Sequence, residues 1–148
     1  MIRKGKVRVG VVGVGYLGAL HAARYAGMNP VDLVGVVDTN PEQARRVAEE
    51  AGCQAFDSID ALLPQVDAVS IVVPTSLHLD VSRPFLQAGK HVLLEKPIAA
   101  SAEQGREIVR LAEQAGVILQ IGHLERFNAA IMDLDQVLEK PMFIESHR

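Results

Sequence analysis

Short runs of Val, Ile and Leu recur along the chain, and polar stretches with helical character separate them. Apolar and polar residues hardly alternate within these runs, which is typical of strands that are buried on both faces of a parallel sheet. The pattern predicts five strands and a weaker sixth, at residues 54–56. The stronger five cover residues 7–12, 33–37, 68–73, 91–94 and 117–121.

The helices between these strands are marked by their end residues. Asn40 followed by Pro41 predicts an N-cap and a first helical residue, and Gly52 predicts the end of that helix. Ser101 and Gly116 frame a later helix in the same way. The predicted helices cover residues 17–26, 41–51, 79–88 and 102–115. Strands that alternate with helices predict an α/β fold with a doubly wound parallel sheet, the Rossmann plan.

The pattern changes after Gly122. Residues 126–140 look like a further helix, and Pro141 then opens an extended stretch over residues 142–147. We therefore predict a domain at residues 1–122, followed by a connecting helix and a strand at residues 123–148.

Composition narrows the class of protein. Hydrophobic residues make up 49% of the chain, but no run approaches the roughly 18 residues that span a bilayer. The net charge of −3 is spread evenly, so we expect no nucleic-acid or membrane partner. The lone Cys53 excludes an internal disulfide, and no metal site is predicted. The N-terminus leads straight into a strand, so we expect a cytoplasmic protein.

The first strand is followed by Gly13-Val14-Gly15-Tyr16-Leu17-Gly18, which fits the dinucleotide-binding pattern G-x-G-x-x-G. In that pattern the first glycine permits a tight turn. The second lets the backbone approach the pyrophosphate, and the third lets the helix pack close to the strand. The pyrophosphate then lies at the helix N-terminus. The predicted cofactor-binding residues here are Gly13, Gly15, Tyr16, Leu17 and Gly18.

Asp38 follows the last of these glycines by 20 residues, at the end of the second strand. A carboxylate at this place accepts hydrogen bonds from the adenosine ribose hydroxyls and repels a 2′-phosphate. Arg45 and Arg46 lie a turn or more into the next helix, and we interpret them as solvated surface. Asp38 therefore predicts NAD as the cofactor, with NADP less favoured.

The loop after the fourth strand contains Pro74, Thr75 and His78. Loops at the carboxyl ends of parallel strands line the cofactor crevice, so these three residues are candidate cofactor contacts. Thr75 has an alternative role, with Ser76, as the N-cap of the following helix. His78 is more typical of a surface histidine at the start of a helix than of a catalytic group.

The fifth strand runs directly into Glu95-Lys96-Pro97, which places opposite charges at the same edge of the sheet. Charged residues rarely terminate a buried strand without a partner or a use. Lys96 is a candidate catalytic residue, because a lysine beside the nicotinamide can transfer a proton or polarise a hydroxyl. The alternative is a structural ion pair between Glu95 and Lys96.

The glycine turn, Asp38, Val73-Pro74-Thr75, His78 and above all Glu95-Lys96-Pro97 resemble the glucose-fructose oxidoreductase, inositol dehydrogenase and MocA family over essentially the whole chain. The resemblance implies that Lys96 contacts the cofactor and the reacting sugar hydroxyl, and that Glu95 braces the nicotinamide. It also implies a cis Lys96–Pro97 peptide and a homo-oligomeric full-length protein. It further implies that residues 1–122 are the dinucleotide-binding domain and that residues 123–148 are the connecting helix and first strand of a substrate domain. The rest of that domain, beyond residue 148, would supply most of the sugar pocket and a catalytic histidine, the principal base.

Residues 122–128 are similar to the same segment in nucleotide-sugar oxidoreductases of the UDP-N-acetylglucosamine 3-dehydrogenase type. His123 and Arg126 follow the last strand and are candidate substrate contacts. The Arg126 guanidinium suits a phosphate or a carboxylate. A structural alternative is that Arg126 pairs with Glu95 or Glu125.

The resemblance implies hydride transfer between nicotinamide and a hydroxyl-bearing ring carbon of a sugar or nucleotide sugar, with the 3-position of UDP-N-acetylglucosamine as a candidate. One alternative is the same chemistry on a polyol, a dihydrodiol or an imine, because the cofactor half of such a protein encodes little about substrate. A second is a non-catalytic NAD-sensing module. Lys96 favours the enzyme, since a sensor does not need a proton-handling lysine.

Overall fold

The computed structural model describes residues 5–135 together with Met142, Phe143 and Glu145. Six strands are present in this part of the chain: β1 (Val7–Val12), β2 (Val31–Val37), β3 (Gln54–Ala55), β4 (Ala68–Ile71), β5 (His91–Leu94) and β6 (Leu119–Ile121). The helices are α1 (Tyr16–Ala26), α2 (Pro41–Ala51), α3 (Ile59–Leu62), α4 (His78–Gln87), α5 (Ala102–Ala115) and α6 (Ala129–Asp135).

The six strands form one parallel sheet in the order β3-β2-β1-β4-β5-β6. This order confirms the predicted doubly wound Rossmann plan. The chain moves outward in one direction from β1 to β3 and in the other from β4 to β6. The point where the direction reverses lies between β1 and β4, where such sheets open a crevice at the carboxyl ends of their strands.

Two apolar clusters cover the faces of the sheet. One is built around Leu62, Phe85 and Ile108, so α3, α4 and α5 pack on that face. The other includes Ala22 and Val47, so α1 and α2 pack on the opposite face. Neighbouring strand residues divide between the clusters as the two-residue period of a strand requires. Because both faces are covered, the strands read as continuous apolar runs.

The predicted helix caps are confirmed. The Asn40 side chain accepts hydrogen bonds from the backbone N–H groups of Glu42 and Gln43, at 3.0 and 3.3 Å. The Ser101 hydroxyl accepts the N–H of Gln104 at 3.2 Å. These caps pair backbone donors that a helix start leaves without an intrahelical partner, so both helices begin where the sequence indicates.

Some element bounds differ from the prediction. Strand β2 begins at Val31, two residues earlier than expected, whereas β4 and β6 are shorter than the apolar runs that contain them. Helix α3 was not predicted. It is only four residues long, its N-cap Ser58 accepts the N–H of Ala61, and a 3₁₀ turn follows at Leu63–Gln65. So short a segment has no helical period to detect.

The predicted helix over residues 126–140 is wrong at its start. A 3₁₀ turn occupies Leu124–Phe127, and the backbone at Asn128 is extended. The Asn128 side chain then accepts the N–H of Ala130 at the start of α6. An asparagine that caps the backbone in this way interrupts a continuous helix. The prediction holds at Ala129–Asp135, which form α6. Residues 136–140 and most of the extended stretch after them lie outside the described residues, and the boundary at residue 122 stays a prediction.

The described residues contain neither a membrane-spanning helix nor a cluster of metal-ligating side chains. No helix among them is long and apolar enough to cross a membrane. No group of three or more His, Cys, Asp or Glu side chains within the same residues could hold a metal ion.

Candidate functional site

The predicted site residues follow the carboxyl ends of the strands. Since all six strands are parallel, these ends meet at one edge of the sheet, here called the carboxyl edge. Neighbouring strands lie only about 5 Å apart, so residues that follow adjacent strands come close together. The carboxyl edge contains Gly13 after β1, Asp38 after β2, Pro74 and Thr75 after β4, Glu95 and Lys96 after β5, and His123 after β6.

The glycine turn packs tightly against its neighbours at its two ends. Gly13 has a φ of 82°, and a Cβ at this position would collide with the backbone carbonyl of Val72. A Cβ at Gly18 would collide with the carbonyl oxygen of Gly13. The strand, the turn and α1 can therefore approach this closely only because neither residue has a side chain.

The middle of the turn faces open space. A Cβ at Gly15 would meet no atom within 4 Å. Gly15 is the N-cap of α1 and brings no side-chain acceptor to the free N–H groups of the first turn. Tyr16 beside it is 87% exposed, and Leu17 is exposed as well. An open cradle at an uncapped helix N-terminus fits the pyrophosphate of a dinucleotide.

Asp38 holds the turn as well as the edge. Its Oδ2 accepts the backbone N–H of Val14 at 2.7 Å, and its Oδ1 accepts the N–H of Asn40 at 2.9 Å. The carbonyl of Val14 is held as well, because the Gln43 side-chain amide donates to it at 2.6 Å. Two side chains thus fix the Val14 backbone within the glycine turn. Gln43 was not predicted, because its contact crosses 29 residues.

The two arginines of α2 each have partners within that helix. Arg45 donates to the carbonyl of Pro41 at 3.1 Å. Arg46 pairs with Glu50 at 2.9 Å and donates to the Gln43 side-chain oxygen. Both arginines are exposed, so their interpretation as solvated surface is confirmed.

The loop after β4 differs from expectation in two ways. Residues Thr75–Leu77 form a 3₁₀ turn and Leu77 precedes α4, so the N-cap alternative for Thr75 and Ser76 is wrong. His78 is 1% exposed, so the expected surface histidine is also wrong. Its two ring nitrogens lie 3.2 Å from the Ile98 carbonyl and 3.0 Å from the Val73 carbonyl. His78 therefore braces the loop from inside. Cofactor contacts by Pro74, Thr75 and His78 stay predictions.

The Lys96–Pro97 peptide is cis, as the resemblance implied. Glu95 is only 6% exposed, whereas the Lys96 side chain is exposed and makes no ion pair within the described part of the chain. The two residues meet only through the Lys96 backbone N–H, which donates to Glu95 Oε2 at 3.2 Å. The structural ion pair considered for these two residues is therefore wrong, and the Lys96 side chain has no ion-pair partner among the described residues.

Glu95 faces a histidine that sequence reasoning missed. His21 Nε2 on α1 lies 3.4 Å from Glu95 Oε1, and His21 Nδ1 lies 2.8 Å from the Ser70 hydroxyl. Burial lowers the pKa of His21, against the opposing effect of the Glu95 carboxylate. The missed signal is the position of His21 and Tyr25, three and seven residues after Gly18. They therefore lie on the face of α1 that must pack against the sheet.

The candidate substrate residues are solvent-facing. His123 follows β6 directly and is exposed, which puts it at the same edge as Lys96. Arg126 is exposed in the following 3₁₀ turn. The alternative pairing of Arg126 with Glu95 is wrong, because the basic side chain that faces the Glu95 carboxylate among the described residues is His21. Substrate contacts by His123 and Arg126 stay predictions.

Comparison with known proteins identifies the family. Residues 7–123 match the model of the GFO_IDH_MocA oxidoreductase family, NAD-binding Rossmann fold. The chain belongs to this family. A nicotinamide dinucleotide is therefore the cofactor class of this fold, which agrees with the open cradle at Gly15.

Three family members show the range of the similarity. UDP-N-acetylglucosamine 3-dehydrogenase of Acidithiobacillus ferrooxidans is 45% identical over 96% of this chain and 45% of its own length. Its structure matches with a TM-score of 0.85 over 93% of this chain and 44% of the relative. Inositol 2-dehydrogenase of Rhizobium meliloti is 33% identical over 90% of this chain and 41% of its own.

The third is the WlbA dehydrogenase from Bordetella pertussis, whose structure holds NADH and UDP-GlcNAcA. It is 31% identical, with a TM-score of 0.85 over 94% of this chain and 41% of its own. The chain thus spans less than half the length of the relatives that it matches.

Proposed function

We propose that this chain is the cofactor-binding part of an NAD-dependent dehydrogenase that acts on a ring hydroxyl of a sugar or nucleotide sugar. The observation that carries the proposal is the free Lys96 side chain, which is exposed and unpaired within the described residues. It lies at the carboxyl edge that also contains the open cradle at Gly15. A lysine with no structural partner at a cofactor crevice is available for chemistry.

Each part of the edge has a role in this proposal. The α1 N-terminus and Gly15 bind the pyrophosphate, and Asp38 binds the adenosine ribose. Lys96 orients the reacting hydroxyl and polarises its O–H bond, while Glu95 keeps the Lys96 backbone in place through the hydrogen bond to Oε2. When it is bound, the nicotinamide ring supplies the acceptor or donor of the hydride.

Asp38 supports NAD rather than NADP. Its carboxylate would repel a 2′-phosphate at the ribose. The two arginines of α2 have partners within that helix, Arg45 the Pro41 carbonyl and Arg46 the Glu50 carboxylate. The local charge of the second strand's loop therefore favours the cofactor without the phosphate.

A nucleotide sugar is the preferred substrate class. The 45% identity to a UDP-N-acetylglucosamine 3-dehydrogenase supports this class. The exposed His123 and Arg126 at the end of β6 support it too, because a guanidinium can bind a diphosphate through two hydrogen bonds. We place the remaining substrate contacts and the principal base in the part of the relatives that this chain does not match. The cytoplasmic location and the homo-oligomeric assembly belong to the same proposal.

A polyol ring is a second candidate substrate. The relative that carries this candidate is the inositol 2-dehydrogenase, at 33% identity. A ring hydroxyl on a cyclic polyol presents Lys96 with the same reacting group as a sugar ring does. A polyol has no diphosphate, so this candidate gives no role to Arg126.

The test separates cofactor binding from turnover. NADH fluorescence should show binding to this 148-residue chain. A protein that carries this chain and extends to the length of the relatives should then reduce NAD with UDP-N-acetylglucosamine, and not with myo-inositol. The chain alone should show no turnover, because losing a base costs about 10²- to 10⁴-fold and losing substrate alignment costs more.

Three outcomes would contradict the proposal in different ways. Robust turnover by the chain alone would show that Lys96, His78 or His123 suffices as the base. Reduction of NAD with myo-inositol and not with the nucleotide sugar would favour the polyol. If the longer protein binds the cofactor but turns over neither UDP-N-acetylglucosamine nor myo-inositol, a sensor would be favoured over an enzyme.

A further inference from the structure

The Glu95 carboxylate is buried at the carboxyl edge and only half satisfied. Its Oε2 accepts the Lys96 backbone N–H, but within the described part of the chain its Oε1 has no hydrogen-bond partner of good geometry. His21 Nε2 faces Oε1 at 3.4 Å, which is an ion-pair distance without hydrogen-bond alignment. Leaving a buried carboxylate oxygen without a hydrogen bond is costly. We therefore expect His21, which faces Oε1, to determine the orientation of the Glu95 carboxylate.

His21 is itself held from behind. Its Nδ1 lies 2.8 Å from the Ser70 hydroxyl, and the Tyr25 ring lies edge-on to its ring with centroids 6.4 Å apart. Ser70 is fully buried in β4 between Val69 and Ile71, and both of those side chains belong to the cluster on the α4 and α5 face of the sheet. By the two-residue period of a strand, Ser70 therefore faces α1. Ser70, His21 and Glu95 form a row of polar side chains beneath the carboxyl edge.

These polar side chains allow one consistent assignment of hydrogen-bond donors when His21 is neutral. An ionised carboxylate only accepts hydrogen bonds, so we assign the single ring N–H of His21 to Nε2, the nitrogen that lies 3.4 Å from Glu95 Oε1. Nδ1 then accepts from the Ser70 hydroxyl. Burial of His21 favours this neutral form by lowering its pKa.

Gly122 completes the enclosure of the carboxylate. A Cβ at this position would lie 2.6 Å from Glu95 Oε1, closer than real Cβ atoms come to other atoms. The residue after β6 thus leaves room for the carboxylate, while α1 supplies His21. The Glu95 side chain is confined between elements that are far apart in the sequence.

We propose that His21 is a positioning residue, which holds the Glu95 carboxylate and, through it, the Lys96 backbone at the nicotinamide end of the cofactor site. The inference rests on the proposed function for the identity of the ligand. His21 acts through Glu95 and does not touch the reacting atoms. Replacing His21 should therefore change those properties of the site that depend on the position of the Glu95 charge.

The charge of Glu95 offers a readout that simple loss of packing would not give. The oxidised nicotinamide ring carries a positive charge and the reduced ring does not. A carboxylate fixed near the ring therefore favours the oxidised cofactor over the reduced one. If His21 fixes that carboxylate, removing His21 should change the ratio of the two dissociation constants, and not merely both constants together.

The first measurement needs no cofactor. Two-bond ¹H–¹⁵N spectra of this chain should show the His21 ring as the tautomer with its proton on Nε2. The chain has five histidines, and loss of one signal set in His21→Leu assigns the ring. A proton on Nδ1 instead would overturn the donor order, and with it the hold on Glu95.

The second measurement compares NAD⁺ and NADH binding, by calorimetry and fluorescence, in a set of variants. His21→Leu should lower the preference for NAD⁺ about fivefold, and Glu95→Gln should do the same. His21→Gln should restore most of it, because the Gln amide carries a donor and an acceptor at a similar spacing. His21→Leu should add little once Glu95→Gln is present, since the two changes remove one shared interaction.

His91→Leu is the matched control. His91 begins β5 at the opposite end from Glu95, and its Nδ1 accepts the N–H of Ile118 at 3.0 Å. This variant should leave the binding ratio unchanged. Equal weakening of both cofactors in His21→Leu would show a purely structural role and overturn the inference alone. Failure of the unmodified chain to bind either cofactor would overturn the proposed function, and the inference with it.

Discussion

The two edges of the sheet treat their charged groups differently. At the amino edge, where the strands begin, the groups are paired. Arg8 in β1 makes two side-chain hydrogen bonds to Asp67, at 2.7 and 3.1 Å. The Lys90 ammonium donates to the Val66 carbonyl at 2.8 Å, and His91 accepts a backbone N–H. These contacts tie neighbouring strands together.

At the carboxyl edge three features are left open. Among the described residues, Lys96 has no ion pair and Glu95 Oε1 has no well-formed hydrogen bond. The Gly15 cradle faces empty space. Both edges belong to the same strands, so the strand arrangement alone does not explain the difference. The comparison supports our proposal that the open groups of the carboxyl edge bind a ligand, whereas the paired groups of the amino edge stabilise the fold.

The largest expected effect tests this division with two lysines. Lys96→Met in the longer protein should reduce turnover by about 10²- to 10⁴-fold, because it removes the group that polarises the hydroxyl. The dissociation constant for NADH should change far less. Lys90→Met, at the amino edge, should lower the stability to denaturant and leave turnover intact. Equal turnover in the Lys96 variant and the unmodified protein would remove Lys96 from the catalytic group.

The next effect separates two glycines of one turn. Gly13→Ala should lower the free energy of unfolding by about 2 to 4 kcal/mol, because Ala is strained at positive φ and its Cβ meets the Val72 carbonyl. Gly15→Ala should cost less, about 1 kcal/mol, because no atom lies near its Cβ and only the poorer N-cap propensity of Ala counts. It should nevertheless weaken NADH binding about tenfold or more, as the methyl group enters the cradle.

Urea denaturation and NADH titration of both variants check this pair. Unchanged NADH affinity in Gly15→Ala would show that the open space is not the pyrophosphate site. The unmodified chain serves as the reference for both measurements.

The fold was largely predictable because its signals are local. Apolar runs marked the strands, and Asn40, Gly52, Ser101 and Gly116 marked the helix ends within a residue or so. The errors lie where the signal is short or interrupted. Helix α3 spans only Ile59–Leu62, and a capping Asn128 broke the apparent period of the last helix. Periodicity cannot resolve elements this short.

The site was predictable only where a motif is contiguous. The glycine turn, Asp38 and Glu95-Lys96-Pro97 could be found by spacing. The groups that hold them could not, because His21, Ser70, Glu95 and Gly122 come from four separate segments. Their meeting depends on which strands are neighbours and on which face each side chain lies. The burial of His78 belongs to the same class of contact, since its partner Ile98 is 20 residues away.

A smaller effect concerns cofactor choice at the carboxyl edge. Asp38→Ala should narrow the preference for NAD over NADP by about tenfold, because it removes the negative charge beside the ribose. Asp32→Ala is the matched control, since Asp32 lies near the amino end of the same strand. Calorimetric titration of both cofactors checks the pair. Tighter binding of NADP by the unmodified chain would contradict the assignment of Asp38.

The smallest effect belongs to the amino edge and depends on pH. The Arg8 guanidinium holds the pKa of Asp67 down to about 2, against a usual value of 3.8. A carboxyl whose pKa is lower in the folded state stabilises the fold above its usual pKa, and that contribution is lost as the pH falls toward 2. Both side chains are 43–45% exposed, so solvent screens the pair and the contribution is small.

Asp67→Asn should therefore be slightly less stable than the unmodified chain near neutral pH. This gap in the free energy of unfolding should narrow as the pH falls from about 4 toward 2. Urea denaturation of both proteins from about pH 6 to about pH 3 measures the gap, and the difference between them cancels the titration of every other carboxyl group. NADH affinity should be the same in both, because Asp67 lies at the opposite edge from the cradle. A gap that stays constant across this range would mean that Asp67 acts through packing rather than charge. A change in NADH affinity would contradict the comparison of the two edges, because a paired group at the amino edge would then influence ligand binding at the carboxyl edge.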